Sequence, residues 1–151
     1  MPTYYAISDL HVDYKENFEA IKRCKSFEDD HLIIAGDISH DINLFIECLT
    51  CLKKKFKQLY WVPGNHDLWL INNQETCSVN KYNHLIGICK QMGIKTPEDD
   101  YEIITINQKK YVLVLCFTHY DYSLKPDTVT QMDAVTWAKQ EGGIANDEFY
   151  I

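Results

Sequence analysis

"HLIIAGDISHD", residues 31–41, decides how the chain is read. Its first part, "HLIIA" (31–35), is short, β-rich and nearly continuous in apolar residues, as strands covered on both faces tend to be. The rest turns abruptly polar. The same transition occurs twice more: "TYYAI" (3–7) runs into "SDLH" (8–11), and "QLYWV" (58–62) runs into "PGNHD" (63–67). Asp9 and Asp37 are 28 residues apart, as are Asp37 and Asn65, about one strand–helix–strand unit each.

The connecting stretches carry helical periodicity. Phe18, Ile21 and Cys24 space out one face of the first, with Asp13 and Glu16 placed as an N-terminal capping pair. In the second, over 43–56, Phe45, Cys48, Leu49, Leu52 and Phe56 recur at helical spacing. A third helix is predicted at about 80–92, with Tyr82, Leu85, Ile86 and Cys89 on its buried face and Gly93 as its stop. Alternation of this kind argues for right-handed βαβ units and a parallel sheet, hence an α/β fold. Further on, "YEIITINQKKYVLVLCF" (101–117) reads as two strands joined by a polar turn at 107–110, an added antiparallel ribbon. Another helix is expected within 127–139. No repeat or linker divides residues 1–151, so a single domain is expected.

Composition narrows the function classes. With 151 residues, 46% of them hydrophobic, the chain can fill a core. There is no basic leader followed by a long apolar segment, nor any run near the roughly 20 apolar residues of a bilayer span, so a soluble, cytoplasmic protein without membrane partners is expected. A formal net charge of −7 and a pI near 5.3 argue against duplex nucleic acid as a partner. The lysines at 53, 54, 55 and 57 close the second predicted helix, where cations suit the negative end of the dipole. Six cysteines fall mostly inside apolar helix or strand patterns, which suits reduced, buried thiols. Cys48 and Cys51 form a lone C-x-x-C on a helical stretch, and a core role suits them better than zinc, which takes four ligands in structural sites.

Open α/β sheets bind ligands beyond the carboxyl ends of their strands. On such a sheet Asp9, His11, Asp37, Asn65 and His66 converge although far apart in sequence. Carboxylate and amide oxygens with imidazole, and no thiolate, suit divalent Mn, Fe, Zn or Co. Gly36 and Gly64 permit sharp turns after their strands and a close approach of the neighbouring donors.

The ordered motifs D-x-H (Asp9, His11), G-D (Gly36, Asp37) and G-N-H-D (64–67) resemble those of the calcineurin-like metallophosphoesterases, firmly over residues 3–69. Trp69 after "GNHDL", "YDYS" (120–123) and "NDEFYI" (146–151) are similar to one subgroup of phosphoesterases in that superfamily. The resemblance implies an αββα sandwich, a dinuclear metal centre, and hydrolysis of a phosphate mono- or diester by a metal-bridging hydroxide. By the same resemblance Asp9 and His11 hold one metal, Asp37 bridges, and Asn65 binds the other. His66 is the catalytic group facing substrate, and Asp67 orients its imidazole.

The family pattern continues with a later histidine and a closing G-H-x-H, which this chain lacks. His119 is one candidate for the former; His31, His40 and His84 have no motif support and are expected at the surface or in loops. On this count the second metal keeps only Asp37 and Asn65 and is the weaker site. The chain is therefore expected to be a truncated phosphoesterase with an uncovered hydrophobic face, complemented by a C-terminal fragment elsewhere. A non-catalytic remnant that binds one metal or a partner chain is the alternative, and a nuclease of the same superfamily is a third reading.

Overall fold

Three runs of β-branched and aromatic residues pair in parallel at the centre of the computed structural model, which describes residues 2–71, 75–118, 123 and 125–142. They are β1 (Tyr4–Ile7), β2 (Phe27–Ala35) and β3 (Phe56–Val62), in the order β1-β2-β3. Tyr5, Leu32 and Leu59 are in register, as are Ile7, Ile34 and Trp61. Residues in register share a face, so these two rows lie side by side on one side of the sheet. Beyond β3, Lys95 adds a parallel bridge to Tyr60.

Helices α1 (Lys15–Arg23) and α2 (Ile42–Lys53) connect these strands. Helix α2 buries Phe45, Cys48, Leu49 and Leu52, the stripe expected from its spacing. Phe45 meets the buried Trp61 edge-on at 5.2 Å, which fastens the helix to the sheet. The helix ends three residues before Phe56, which opens β3 instead. Cys48 is wholly buried within α2, and desolvation pushes its thiol up to about 12, so it behaves as a small core residue.

Helix α4 (Ser78–Gln91) buries Leu85 and Cys89, and Gly93 follows it at φ 66°, a left-handed stop that suits glycine. Strands β4 (Glu102–Ile106) and β5 (Lys109–Leu113) form the expected antiparallel ribbon. Asn107 and Gln108 turn it with positive φ at both positions, the pattern of a tight two-residue hairpin. Helix α5 (Ala134–Gln140) occupies only the end of the stretch expected to be helical.

Two expectations need correction. Asp13 and Glu16 do not cap α1: Tyr14 is the N-cap residue and makes no side-chain cap bond. The Asp13 carboxylate is engaged by Ser39 Oγ at 2.7 Å and faces His40 Nδ1 at 3.2 Å. Nor are all three strands covered on both faces. Leu59, Tyr60 and Trp61 of β3 are buried in succession, because α2 lies on one side and Glu102 of the ribbon reaches the Tyr60 hydroxyl on the other, at 3.0 Å. β1 has no such neighbours among the described residues and pairs there with β2 alone, leaving Tyr5 38% and Ile7 40% exposed.

Truncating Phe45 to alanine would remove the ring that joins α2 to Trp61. A loss of about 3–5 kcal/mol in urea unfolding is expected; a loss below 1 kcal/mol, roughly what a surface change costs, would contradict this account of the core.

Candidate metal centre

The loops after the three strands are zipped together before any side chain is considered. Asp9 N donates to Gly36 O at 3.3 Å, His11 N to Asp37 O at 2.9 Å, and Val12 N to Ile38 O at 2.9 Å. The first loop is therefore an irregular continuation of the β1–β2 pairing. Asp9, His11 and Asp37 sit at φ 55°, 40° and 54°, a left-handed conformation that L-residues adopt at about 1 kcal/mol or more apiece. Such strain collects where the surrounding structure holds functional side chains in place.

Glycines let the second and third loops meet. A Cβ on Gly36 would lie 2.5 Å from Gly64 N, and one on Gly64 would lie 2.1 Å from Asp37 Oδ1. The Asp37 carboxylate fills the space that the missing Cβ leaves, and its Oδ1 accepts from His66 N at 3.0 Å. Asn65 and His66 open a single turn, α3 (Asn65–Leu68), which places them directly after β3 and Gly64. The His66 ring stacks on Trp69, with centroids 3.6 Å apart, and meets the His11 ring edge-on at 4.7 Å.

His11, Asp37 and His66 each offer a donor atom within 4.8 Å of the others, the only such group among the described residues. Asp9 Oδ1 stands 3.8 Å and Asp37 Oδ2 4.0 Å from His11 Nε2. Those separations are too long for direct hydrogen bonds. Carboxylate oxygens and an imidazole nitrogen at these separations fit a divalent cation between Asp9, His11 and Asp37. Asp9 is the outermost of them, with a side chain 66% exposed. His119, "YDYS" apart from Ser123, and "NDEFYI" lie outside the described residues.

Asp67 does work that the motif does not suggest. It is fully buried, and its carboxylate accepts from four backbone N–H groups: Gly64 and Asp37 at 3.0 Å, Ile38 at 2.8 Å and Ser39 at 3.2 Å. It therefore ties the Asp37 loop to the Gly64 turn. Burial pushes its carboxyl up to about 6 against the pull of the Gly64, Ser39 and Ile38 amides.

The other histidines among the described residues keep away from this group. His84 faces Glu75 at 2.6 Å and His40 faces Asp13. His31 is a strand residue, stacked on Tyr4 at 4.5 Å.

The calcineurin-like phosphoesterase family model matches residues 2–149, and the chain belongs to that family. Its α/β architecture is the metallophosphoesterase fold. The chain is 34% identical to the [acyl-carrier-protein] phosphodiesterase PptH of Mycobacterium tuberculosis, over 99% of its own length and 48% of that protein's. The crystal structure of the phosphopantetheinyl hydrolase PptH from Mycobacterium tuberculosis superposes with a TM-score of 0.88 at 33% identity, covering 99% of this chain and 55% of the other. The chain thus spans about half the length of the relatives it matches. No helix among the described residues is long and apolar enough to cross a membrane.

Two substitutions test the framework. Asp67→Asn should cost about 3–5 kcal/mol in urea unfolding, because a buried carboxylate that faces four amides is replaced by a group with one acceptor oxygen. Gly64→Ala should cost about 1–3 kcal/mol by pushing the Asp37 carboxylate aside. If both variants unfold at the wild-type midpoint, the loops are held by something else.

Proposed function

We propose that this chain carries the metal-binding half of a phosphodiesterase acting on a phosphate ester of the kind PptH is named for, a phosphopantetheinyl group on an acyl-carrier protein. The observation that carries the reading is the convergence of His11, Asp37 and His66 at the ends of successive strands, in a chain a third identical to PptH over nearly all its length. Asp9, His11, Asp37 and Asn65 would hold two divalent cations, with Asp37 shared; Mn, Fe, Zn and Co all suit the donors. Cations held there would supply charge neutralisation at the phosphoryl oxygens and a more acidic bound water.

The remaining work falls to the chain's own residues. His66, its ring held against Trp69, protonates the leaving oxygen or stabilises charge gathering on the phosphoryl group. The left-handed backbone at Asp9, His11 and Asp37, on the loops after β1 and β2, restricts how far their side chains can swing, so little reorganisation is needed when substrate arrives.

Completion by a segment equivalent to the unmatched half of PptH belongs to the same proposal. Exposed apolar groups on both sheets support it: Tyr5 and Ile7 on β1, and Ile103 and Val112 on the ribbon, the last two more than 60% exposed. Exposed apolar side chains of this size are what an interface would cover. The alternative, a non-catalytic remnant holding one cation, draws support from the single three-donor group among the described residues.

The test is manganese-dependent hydrolysis of an aryl phosphate diester and of a phosphopantetheinylated carrier protein, assayed without and with the complementing half. Asp37→Ala and Asn65→Ala should each lower the rate by roughly 100-fold or more, beyond the effect of losing a partner behind a ligand. Rates equal to wild type would refute the assignment, and uptake of one manganese or fewer per chain would favour the remnant. His66→Ala should depress the rate while leaving manganese affinity within about twofold; a tenfold or greater loss of affinity would make His66 a ligand instead.

A further inference from the structure

Lysine is rarely buried, because its ammonium loses hydration that the interior must replace. Lys81 on α4 is 0% exposed and is the only buried lysine or arginine among the described residues. Its Nζ donates to His40 O at 2.7 Å and to Trp69 O at 2.5 Å.

Those two carbonyls are not equivalent positions on one loop. His40 lies three residues after Asp37, on the loop leaving β2. Trp69 follows α3, the turn that carries Asn65, His66 and Asp67, and its ring is the one stacked on His66. One ammonium therefore joins the two segments that supply most of the converging donors. Ser78, one turn earlier on α4, repeats the device by donating from Oγ to Leu68 O at 3.1 Å. The first turns of α4 thus grip the end of α3 twice, and Lys81 alone extends the grip to the Asp37 loop.

Charge adds to geometry. Burial pushes the Lys81 ammonium down to about 8, while the carboxylates of Asp67, Glu75, Asp41 and Asp13 act the other way. Asp67 binds the same two segments through their amides, and Lys81 binds them through carbonyls. A buried anion and a buried cation thus hold opposite polar ends of the same backbone.

We propose that Lys81 is a positioning residue for the metal centre, its ammonium fixing the Asp37 loop against the α3 turn that carries Asn65 and His66. This rests on the metal-binding reading above. Groups standing behind metal ligands typically contribute 10–100-fold to affinity.

The experiment compares Lys81→Met, which keeps the length of the side chain and removes its donors, with Leu85→Ala, which weakens the same helix through its apolar stripe. Free manganese is followed by electron paramagnetic resonance. Lys81→Met should bind manganese at least about tenfold more weakly than wild type, and Leu85→Ala within about twofold of it. Equal affinity in wild type and Lys81→Met, or an equal loss in both variants, overturns the assignment. A wild-type chain that takes up no manganese overturns the metal reading itself.

A second measurement uses wild-type protein and does not depend on the variant folding. By linkage, if Lys81 strengthens cation binding, bound cation must strengthen the Lys81 contacts. Acetylation of Lys81, followed by mass spectrometry, should be slowed by saturating manganese about tenfold more than alkylation of the equally buried Cys89 thiol. Equal slowing of both would mean that manganese only stabilises the whole fold, and would overturn the proposal.

Discussion

The Asp67 carboxylate, wholly buried and accepting four backbone N–H groups, is the constraint on which the rest of the site depends. Amides from the loop after β2 and the turn after β3 have no ladder to enter, and burying them without acceptors would cost about 1–3 kcal/mol each. One anion satisfies all four. It thereby sets the distance between the two loops, and the missing side chains of Gly36 and Gly64 let that distance be as short as it is. Asp37 is then held between Gly64 and His66, and the β1 loop is drawn in by its pairing with Gly36, Asp37 and Ile38. The convergence of donors is a product of backbone satisfaction as much as of the donors themselves.

Local strain has its origin in the same place. Left-handed backbone at Asp9, His11 and Asp37 is unfavourable in isolation, and the loop-to-loop hydrogen bonds, the buried carboxylate and the buried ammonium are what hold it. Side chains mounted on such a backbone have little freedom to swing away. Preorganised donors of this sort are what phosphoryl chemistry asks of a protein, since its contribution is mostly positioning and charge.

Much of this was legible in the sequence because two periodicities and one interval carry it. Apolar runs followed by Ser-Asp-Leu-His, Gly-Asp or Gly-Asn-His-Asp, repeated every 28 residues, point to parallel strands with polar loops at one end of the sheet. The α2 stripe absorbed Cys48 of the C-x-x-C but left Cys51 only half-buried, and Gly93 marked the end of α4. Other features were hidden for physical reasons. Asp13 has the spacing of a cap, but Ser39 and His40, distant in sequence, compete for it. Asp67 adjoins His66 in sequence, whereas three of its four backbone partners, Asp37, Ile38 and Ser39, come from the loop after β2. Exposure of β1 depends on which chain segments lie over it, which no local pattern encodes. Lys81 left one faint sign: it stands four residues before Leu85 and eight before Cys89, on the stripe that those two residues define.

The central claim is that loops from three successive strands form one cation site, and anomalous diffraction from crystals soaked in manganese tests it most directly. The account predicts an anomalous peak bounded by the carboxylate of Asp37 and the imidazole of His11, with a second and weaker peak on the side of Asn65. Peaks only at surface carboxylates, with none between His11 and Asp37, would contradict it.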